Sequence, residues 1–151
     1  MNLFVLDQDP KIAAAHNCDR HVIKIILEAA QMLGTAHRIV NHDSRFKAIY
    51  ANHPVTMWVR ASRENYIWTT THALGLCNEY TRRYLREHTT QEKILWFHEN
   101  IPTFTKRSLT PFAQAMPDDC KSDDAVEAYR KYYKLHKADL ATWKFGPPVW
   151  W

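Results

Sequence analysis

Glycine is scarce in this sequence of 151 residues, with only three copies. Sheets and tight hairpins depend on glycine in their turns, so this scarcity favours helices and argues against a β-rich fold. No apolar run reaches the roughly 18 residues that a membrane-spanning helix needs. The N-terminal stretch MNLFVLDQDP lacks the basic start and the long apolar core of a signal peptide. We therefore expect no membrane partner and a cytoplasmic location.

Cysteine is also rare, and its spacing excludes a disulfide framework. The three copies, Cys18, Cys77 and Cys120, are odd in number, far apart and form no CxxC pair. We expect free thiols in a reducing compartment. Cys18 lies near two histidines, so a Cys–His nucleophile pair is conceivable, but the sequence offers no third residue to orient it.

Basic, aromatic and histidine residues are plentiful. The formal charge is +4, the isoelectric point is about 9.0, and 13% of the residues are aromatic. A mild basic excess suits an anionic partner such as a nucleic acid. The nine histidines gain charge just below neutral pH, so we expect anion affinity to depend on acidity.

Several places have the composition of a helix start. Asp, Asn or Thr there can accept hydrogen bonds from the first free N–H groups, and proline suits the first helical position. These starts are Asp9-Pro10, Asn17 or Asp19, His53-Pro54, Thr90, Thr110-Pro111 for the short turn FAQAM, and Asp124 with Glu127. Residues 54–88 fit one long helix or two helices broken near Ser62–Asn65. Residues 37–52 are polar and aperiodic, which predicts a loop, and the last helix is expected to reach Trp143.

The apolar run Leu3–Leu6 is too short to form a strand pair, so we expect an extended segment pinned in the core. The sequence has no internal repeat, low-complexity segment or linker. It predicts an all-α fold in which residues 1–151 form a single domain of four to six helices, with the extended N-terminal segment packed into the core.

The stretch Asp19–Thr35 is apolar around most of a helical wheel. Its polar exceptions, His21, Lys24, Glu28 and Gln31, are spaced three, four and three residues apart and stack in one stripe. Burying a carboxylate and an amine is costly unless they are paired or line a cleft. The stripe is therefore either a solvated face with a surface pair between Lys24 and Glu28, or the floor of an active site.

An amine beside a carboxylate is suited to imine chemistry at a sugar carbon. Lys24 is one candidate amine, and the α-amino group of Met1 is the other. An α-amino group has a reference pKa near 8, so part of it is free base at neutral pH. The amine would attack C1′ while Glu28 transfers protons.

Over roughly residues 1–87, the sequence resembles the phage pyrimidine-dimer DNA glycosylase (endonuclease V) family. His21 precedes Glu28 by seven residues, as a histidine or small residue precedes the key glutamate in that family. His53-Pro54 likewise opens a helix that ends in a Leu-x-x-Glu-x-x-x-Arg pattern, at Leu76, Glu79 and Arg83. The resemblance implies an all-helical core with a threaded N-terminal segment, the α-amine as nucleophile and Glu28 as the essential carboxylate. The arginine that usually precedes that glutamate is Leu27 here.

Two further segments, HPVTMWVRASRENYIW and TPFAQAMPDD, resemble parts of short uncharacterised proteins of large DNA bacteriophages. This likeness implies a viral nucleic-acid context and, for a phage protein, the host cytoplasm.

Cations interleaved with aromatic residues have the composition of a nucleic-acid surface. The candidate phosphate contacts are Arg20, Arg60, Arg63, Arg82, Arg83 and Arg86. The last helix adds lysines spaced three apart beside two tyrosines, at Lys131, Lys134, Lys137, Tyr132 and Tyr133. The alternative is ordinary: aromatics at helical spacing are usually core residues, and lysines late in a helix balance its dipole.

Together these observations predict a DNA repair or modification enzyme of the glycosylase/AP-lyase type. Its catalytic residues would be Glu28, Lys24, Met1 and His21, its partner DNA, and we expect no cofactor and no metal. One alternative is a metal-dependent hydrolase or transferase acting on nucleotides or DNA bases. Its ligands would come from Asp7, Asp9, His16, His21, Glu28 and His72. The other is a non-enzymatic phage module that binds nucleic acid or a nucleotide.

Overall fold

The computed structural model describes residues 1–151 and contains six α-helices and no β-strand. The helices are α1 (Pro10–His16), α2 (Asp19–Val40), α3 (Pro54–Val59), α4 (Arg63–Tyr84), α5 (Gln91–Glu99) and α6 (Ala125–His136). Two short 3-10 turns, Asp118–Cys120 and Ala138–Leu140, flank α6. The predicted all-α class is confirmed, with six helices and a single core.

Most helices begin where the capping residues predicted. Asp9 accepts hydrogen bonds from the Lys11 and Ile12 N–H groups, and Asp124 does the same at the start of α6. The Ser62 hydroxyl accepts from the Asn65 N–H, so residues 54–84 form two helices rather than one. For α2 the prediction was wrong: the cap is Cys18, which makes no side-chain bond.

Helix α2 is longer than the sequence indicated, and the predicted loop begins only at Asn41. The polar segment HRIV continues the helix because His37 is buried there. Its Nε2 lies 2.9 Å from the Tyr66 hydroxyl, and its ring packs beside Phe46 and Trp96. A tertiary hydrogen bond thus satisfies a residue that looked like a loop residue.

The segment Thr110–Pro117 forms no helix, contrary to the expectation from Thr110-Pro111. Its backbone groups bond to other parts of the fold instead of to each other. The Ala113 carbonyl accepts from the Tyr129 hydroxyl at 2.8 Å, and the Ala115 carbonyl accepts from the Asn2 amide at the same distance.

The last helix ends at His136 rather than at Trp143. The chain beyond it turns back onto the start of the molecule, where the Trp143 indole donates to the His16 carbonyl at 2.9 Å. The Trp150 indole donates to the His16 ring at 3.1 Å, which holds this tryptophan against the end of α1. Trp151 remains 38% exposed.

The N-terminal segment Leu3–Leu6 is fully inside the core, as predicted. Phe4 lies between α2 and α6: its ring stacks on His21 with the centroids 4.2 Å apart and meets Tyr133 edge to face. Helix α1 packs closely on α4. The contact leaves no room for a side chain at Gly75, since a Cβ atom there would lie 2.8 Å from the Ala14 Cβ. The threaded segment brings the first residue of the chain to α2.

The three cysteines are buried and form no disulfide. Burial raises the pKa of the Cys18 thiol and raises that of Cys77 to about 12, so neither is a ready nucleophile. None of the six helices is both long and apolar enough to cross a membrane.

A buried histidine makes the fold sensitive to acid. The His72 side chain is completely buried, stacks on Trp68 and has no hydrogen-bond partner for either ring nitrogen. Burial lowers its pKa from 6.5 to about 3. Below pH 6.5 the unfolded chain therefore binds a proton that the folded protein does not. Stability should fall by about 1.4 kcal/mol per pH unit from pH 6.5 to about pH 3, and no loss from this group is expected above pH 6.5.

The substitution His72→Phe keeps the stacking and removes the titration. It should raise the free energy of unfolding by about 1–3 kcal/mol at neutral pH and by more at pH 4.5. Urea denaturation at neutral pH and at pH 4.5 measures the free energy of unfolding of the variant and of the parent protein. His42→Asn, which replaces an exposed histidine, is the control. Equal pH dependence in His72→Phe and the parent protein would contradict this account.

Candidate active site

Glu28 is the centre of a cluster of amines. Its Oε2 accepts a hydrogen bond from the Asn2 backbone N–H at 2.9 Å and lies 3.8 Å from the α-amino nitrogen of Met1. Its other oxygen lies 3.4 Å from Lys24 Nζ. The Glu28 side chain is only 12% exposed, whereas that of Lys24 is 69% exposed. The stripe therefore combines the two interpretations. Glu28 is buried like the floor of a cleft, whereas Lys24 is solvated and lies at the rim.

The Met1 amine is held in place by contacts from distant parts of the chain. The Asn2 side chain donates to the Ala115 carbonyl at 2.8 Å and accepts from the Tyr129 hydroxyl at 3.0 Å. The Met1 sulfur accepts from the Thr56 hydroxyl at 3.4 Å. These bonds fix the amine beside Glu28, which reduces the entropy that a reaction at this position would lose.

A cavity of about 170 Å³ opens beside this pair. Pockets for drug-sized ligands measure roughly 300–1,000 Å³, so this one accepts only a fragment such as a single sugar or base. Its walls come from the N-terminal segment, α2, the segment before α6, and α6 with the residue after it: Met1, Asn2, Phe4, His21, Lys24, Ile25, Glu28, Ala115, Tyr132 and Lys137.

His21 forms part of the wall and is uncharged at neutral pH. Burial, together with the positive charges of Lys137, Lys24 and Arg20, lowers its pKa from 6.5 to about 4. Its Nδ1 is hydrogen-bonded to the Tyr133 hydroxyl. A neutral imidazole does not attract phosphate, so we assign His21 the role of holding Phe4 and shaping the cavity.

Sequence reasoning did not place Tyr132 or Lys137 in this cavity, and it did not place His53 near Met1 and Glu28. Burial and the charge of the Met1 amine lower the pKa of His53, while Glu28 raises it, so this ring lies within their electrostatic range. His53-Pro54 was recognised only as a helix start. The ammonium of Lys137 lies 5.0 Å from the centre of the Tyr132 ring. The lysine spacing of the last helix was noted, but only the fold shows which face meets Glu28.

The six arginines proposed as phosphate contacts are not gathered at the cavity. Arg83 is 4% exposed and is held by Glu79 and Asp19 at 2.9 and 3.0 Å, so we leave it out of any binding surface. Arg20 is near enough to influence His21. The remaining four make local contacts: Arg60 with the Ala51 carbonyl, Arg63 with Glu64, Arg82 with Glu79 and the Phe145 ring, and Arg86 with the Tyr80 ring.

The metal ligands considered from sequence also remain apart. The one group of three ligand side chains within 4.8 Å of one another is Asp119, Cys120 and His136, none of which was a candidate. His72 lies in the core without a polar partner, and His16 accepts from Trp150. The structure therefore gives no support to the metal-dependent alternative at the stripe.

Comparison of the chain with protein-family models, curated proteins and solved structures found no match. The resemblance to the pyrimidine-dimer glycosylases therefore stays a prediction from sequence. Leu27, at the position of that family's arginine, is 51% exposed beside the site. The functional proposal rests on the geometry around Glu28.

Proposed function

We propose that the protein is a DNA-acting enzyme of the glycosylase/AP-lyase type, in which an amine forms an imine with C1′ of a deoxyribose. The observation that carries the proposal is the Met1 α-amine, held 3.8 Å from the buried Glu28 carboxylate at the edge of a cavity of about 170 Å³. A nucleophile and its acid/base group must lie within hydrogen-bond reach or one water molecule of each other, and this separation meets that requirement.

On a damaged nucleoside, the amine nitrogen forms a bond to C1′ as the glycosidic bond breaks. The departing base keeps the electron pair of the glycosidic bond and takes a proton, and the amine nitrogen loses one proton. The C1′–O4′ bond then breaks, O4′ gains a proton, and a cationic imine results. Glu28 is placed to supply and accept these protons, and its negative charge stabilises the cation.

From the imine, loss of a proton at C2′ expels the 3′ phosphate by β-elimination. Water then hydrolyses the imine, which releases the sugar aldehyde and restores the amine. At an abasic site the amine adds to the free aldehyde and water leaves, so the same imine forms without a base to remove.

Two amines reach Glu28, and the geometry favours Met1. The Met1 side chain is 5% exposed and its backbone neighbour Asn2 is fixed by three partners. Lys24 is mostly exposed and is free to rotate. We assign nucleophilic attack to Met1, and to Lys24 the task of attracting a phosphate to the rim of the cavity.

Sodium borohydride added during incubation with abasic DNA should reduce the imine and leave a stable covalent complex. Digestion and mass spectrometry should then find the deoxyribose remnant on the peptide that contains Met1. Adding two residues before Met1 should abolish trapping because the amine is moved away, whereas Lys24→Met should retain it.

A remnant on Lys24 would overturn the choice of nucleophile. No trapping with abasic or damaged DNA would overturn the proposed chemistry. Salt-sensitive DNA binding without trapping would support the non-enzymatic binding module instead.

A further inference from the structure

A second, basic cavity lies farther along the same helix as Glu28. It measures about 270 Å³ and opens between α2, the loop of residues 41–53 and the start of α5. Three cations surround it, Arg45, Lys47 and Lys93, and its floor includes Gln31 and Gly34. We name this group of five residues the α2 anchor.

Two of the three cations have no acidic partner. Neither Lys47 nor Lys93 forms an ion pair within 4.0 Å, whereas Arg45 is paired with Asp43 at 2.8 Å. The Lys93 ammonium lies 5.8 Å from the Phe46 ring centre, at the wall of the cavity. The anchor therefore presents about two uncompensated positive charges around one opening, which is the arrangement that a phosphate group requires.

The loop that carries Arg45 and Lys47 is attached to both helices of the anchor. The Thr35 hydroxyl accepts from the Ile49 N–H at 2.9 Å and contacts its carbonyl at 3.1 Å, which ties the loop to α2. The Arg45 guanidinium lies 5.2 Å from the Trp96 ring, and Arg60 donates to the Ala51 carbonyl. These contacts hold the loop against α2 and α5, so Arg45 and Lys47 open onto the same cavity as Lys93.

The anchor and the reaction cavity are consecutive along α2. With a rise of 1.5 Å per residue, Gln31 and Gly34 lie about 4.5 and 9 Å along the axis from Glu28. Phosphates on one DNA strand recur about every 3.4 Å of duplex axis. A strand that runs along α2 with its sugar in the Glu28 cavity would place a phosphate one to three nucleotides away at the anchor.

We propose that the α2 anchor binds a backbone phosphate of the DNA strand that reacts at Glu28. The proposal rests on the proposed function for its choice of ligand, and it assigns the binding charges to Lys47 and Lys93 rather than to the arginines suggested by the sequence. The anchor sets the position of the strand, and the Met1–Glu28 pair acts on it.

The test compares Lys47→Gln/Lys93→Gln with Lys11→Gln/Lys106→Gln, which removes the same charge from exposed lysines outside both cavities. Fluorescence anisotropy with an undamaged DNA oligonucleotide gives the affinity as a function of salt. The anchor variant should bind between about tenfold and a hundredfold more weakly at 0.1 M salt, with a salt slope shallower by about two. The control pair should change both far less.

Circular dichroism establishes that each variant is folded, and trapping is measured separately. Equal affinities and slopes for the two variants would overturn the anchor, whatever the trapping result. If trapping fails for the parent protein while the anchor variant still loses DNA affinity, the proposed chemistry fails and the anchor stands.

Discussion

Replacing Glu28 by glutamine is expected to lower the yield of borohydride-trapped complex by about 100-fold or more. Loss of a positioned acid/base group removes roughly 10²–10⁴ of rate, and glutamine cannot transfer the protons. The amide oxygen can still accept the Asn2 N–H bond that fixes the chain start, so the fold should survive. Single-turnover trapping with an abasic oligonucleotide gives the rate, and the melting temperature reports on the fold.

Glu79→Gln is the matched control for this experiment. The two glutamates are similarly buried, 12% and 14% exposed, and each is paired with a cation on its own helix. Glu79→Gln should lower stability and leave trapping unchanged. Full trapping by Glu28→Gln would exclude Glu28 as the acid/base group, and equal loss in both variants would attribute the effect to the fold.

Removing the Arg83 side chain should produce the largest loss of stability in the molecule. Its guanidinium bonds to Glu79 and Asp19 and also to the Ala15 and Asn17 carbonyls. Arg83→Met removes this donor from all four acceptors, and of the two carboxylates Glu79 keeps only the exposed Arg82 while Asp19 keeps only the Lys144 N–H. Breaking a buried ion pair from one side costs about 3–5 kcal/mol, and urea denaturation measures it.

The neighbouring residue provides the control. Arg82 pairs with the same Glu79 at 3.3 Å but is 57% exposed, so Arg82→Met should change the free energy of unfolding by about 1 kcal/mol or less. Arg83→Lys should recover little, because an ammonium cannot reproduce the fork of donors. A small loss in Arg83→Met would mean that water replaces the guanidinium and that the cluster is not structural.

Local chemistry made much of the fold predictable. Proline and capping residues marked the starts of α1, α3 and α6 because these signals act within one turn of helix. The end of α2 could not be predicted in this way, since His37 is buried by Tyr66, which is 29 residues away. The same limit applies to Thr110–Pro117, whose backbone bonds to Asn2 and Tyr129.

The candidate site likewise contains contacts that the sequence predicts and contacts that it does not. Lys24 and Glu28 are four residues apart on one helix, so their contact followed from helical spacing alone. The Met1 amine was a candidate on chemical grounds, but only the fold gives its distance from Glu28. The contributions of Ala115 and Lys137 depend on contacts between segments far apart in sequence, which no local pattern encodes.

The bonds that fix Asn2 also have a consequence for the synthesis of the protein. They link it to residues 26, 113 and 127 positions later in the chain. A chain released before Tyr129 has been added has its amine and Glu28 but lacks the hydroxyl that holds Asn2 between them. Asn2 is thus fixed only after residues far along the chain have been made, and no short fragment carries the complete site.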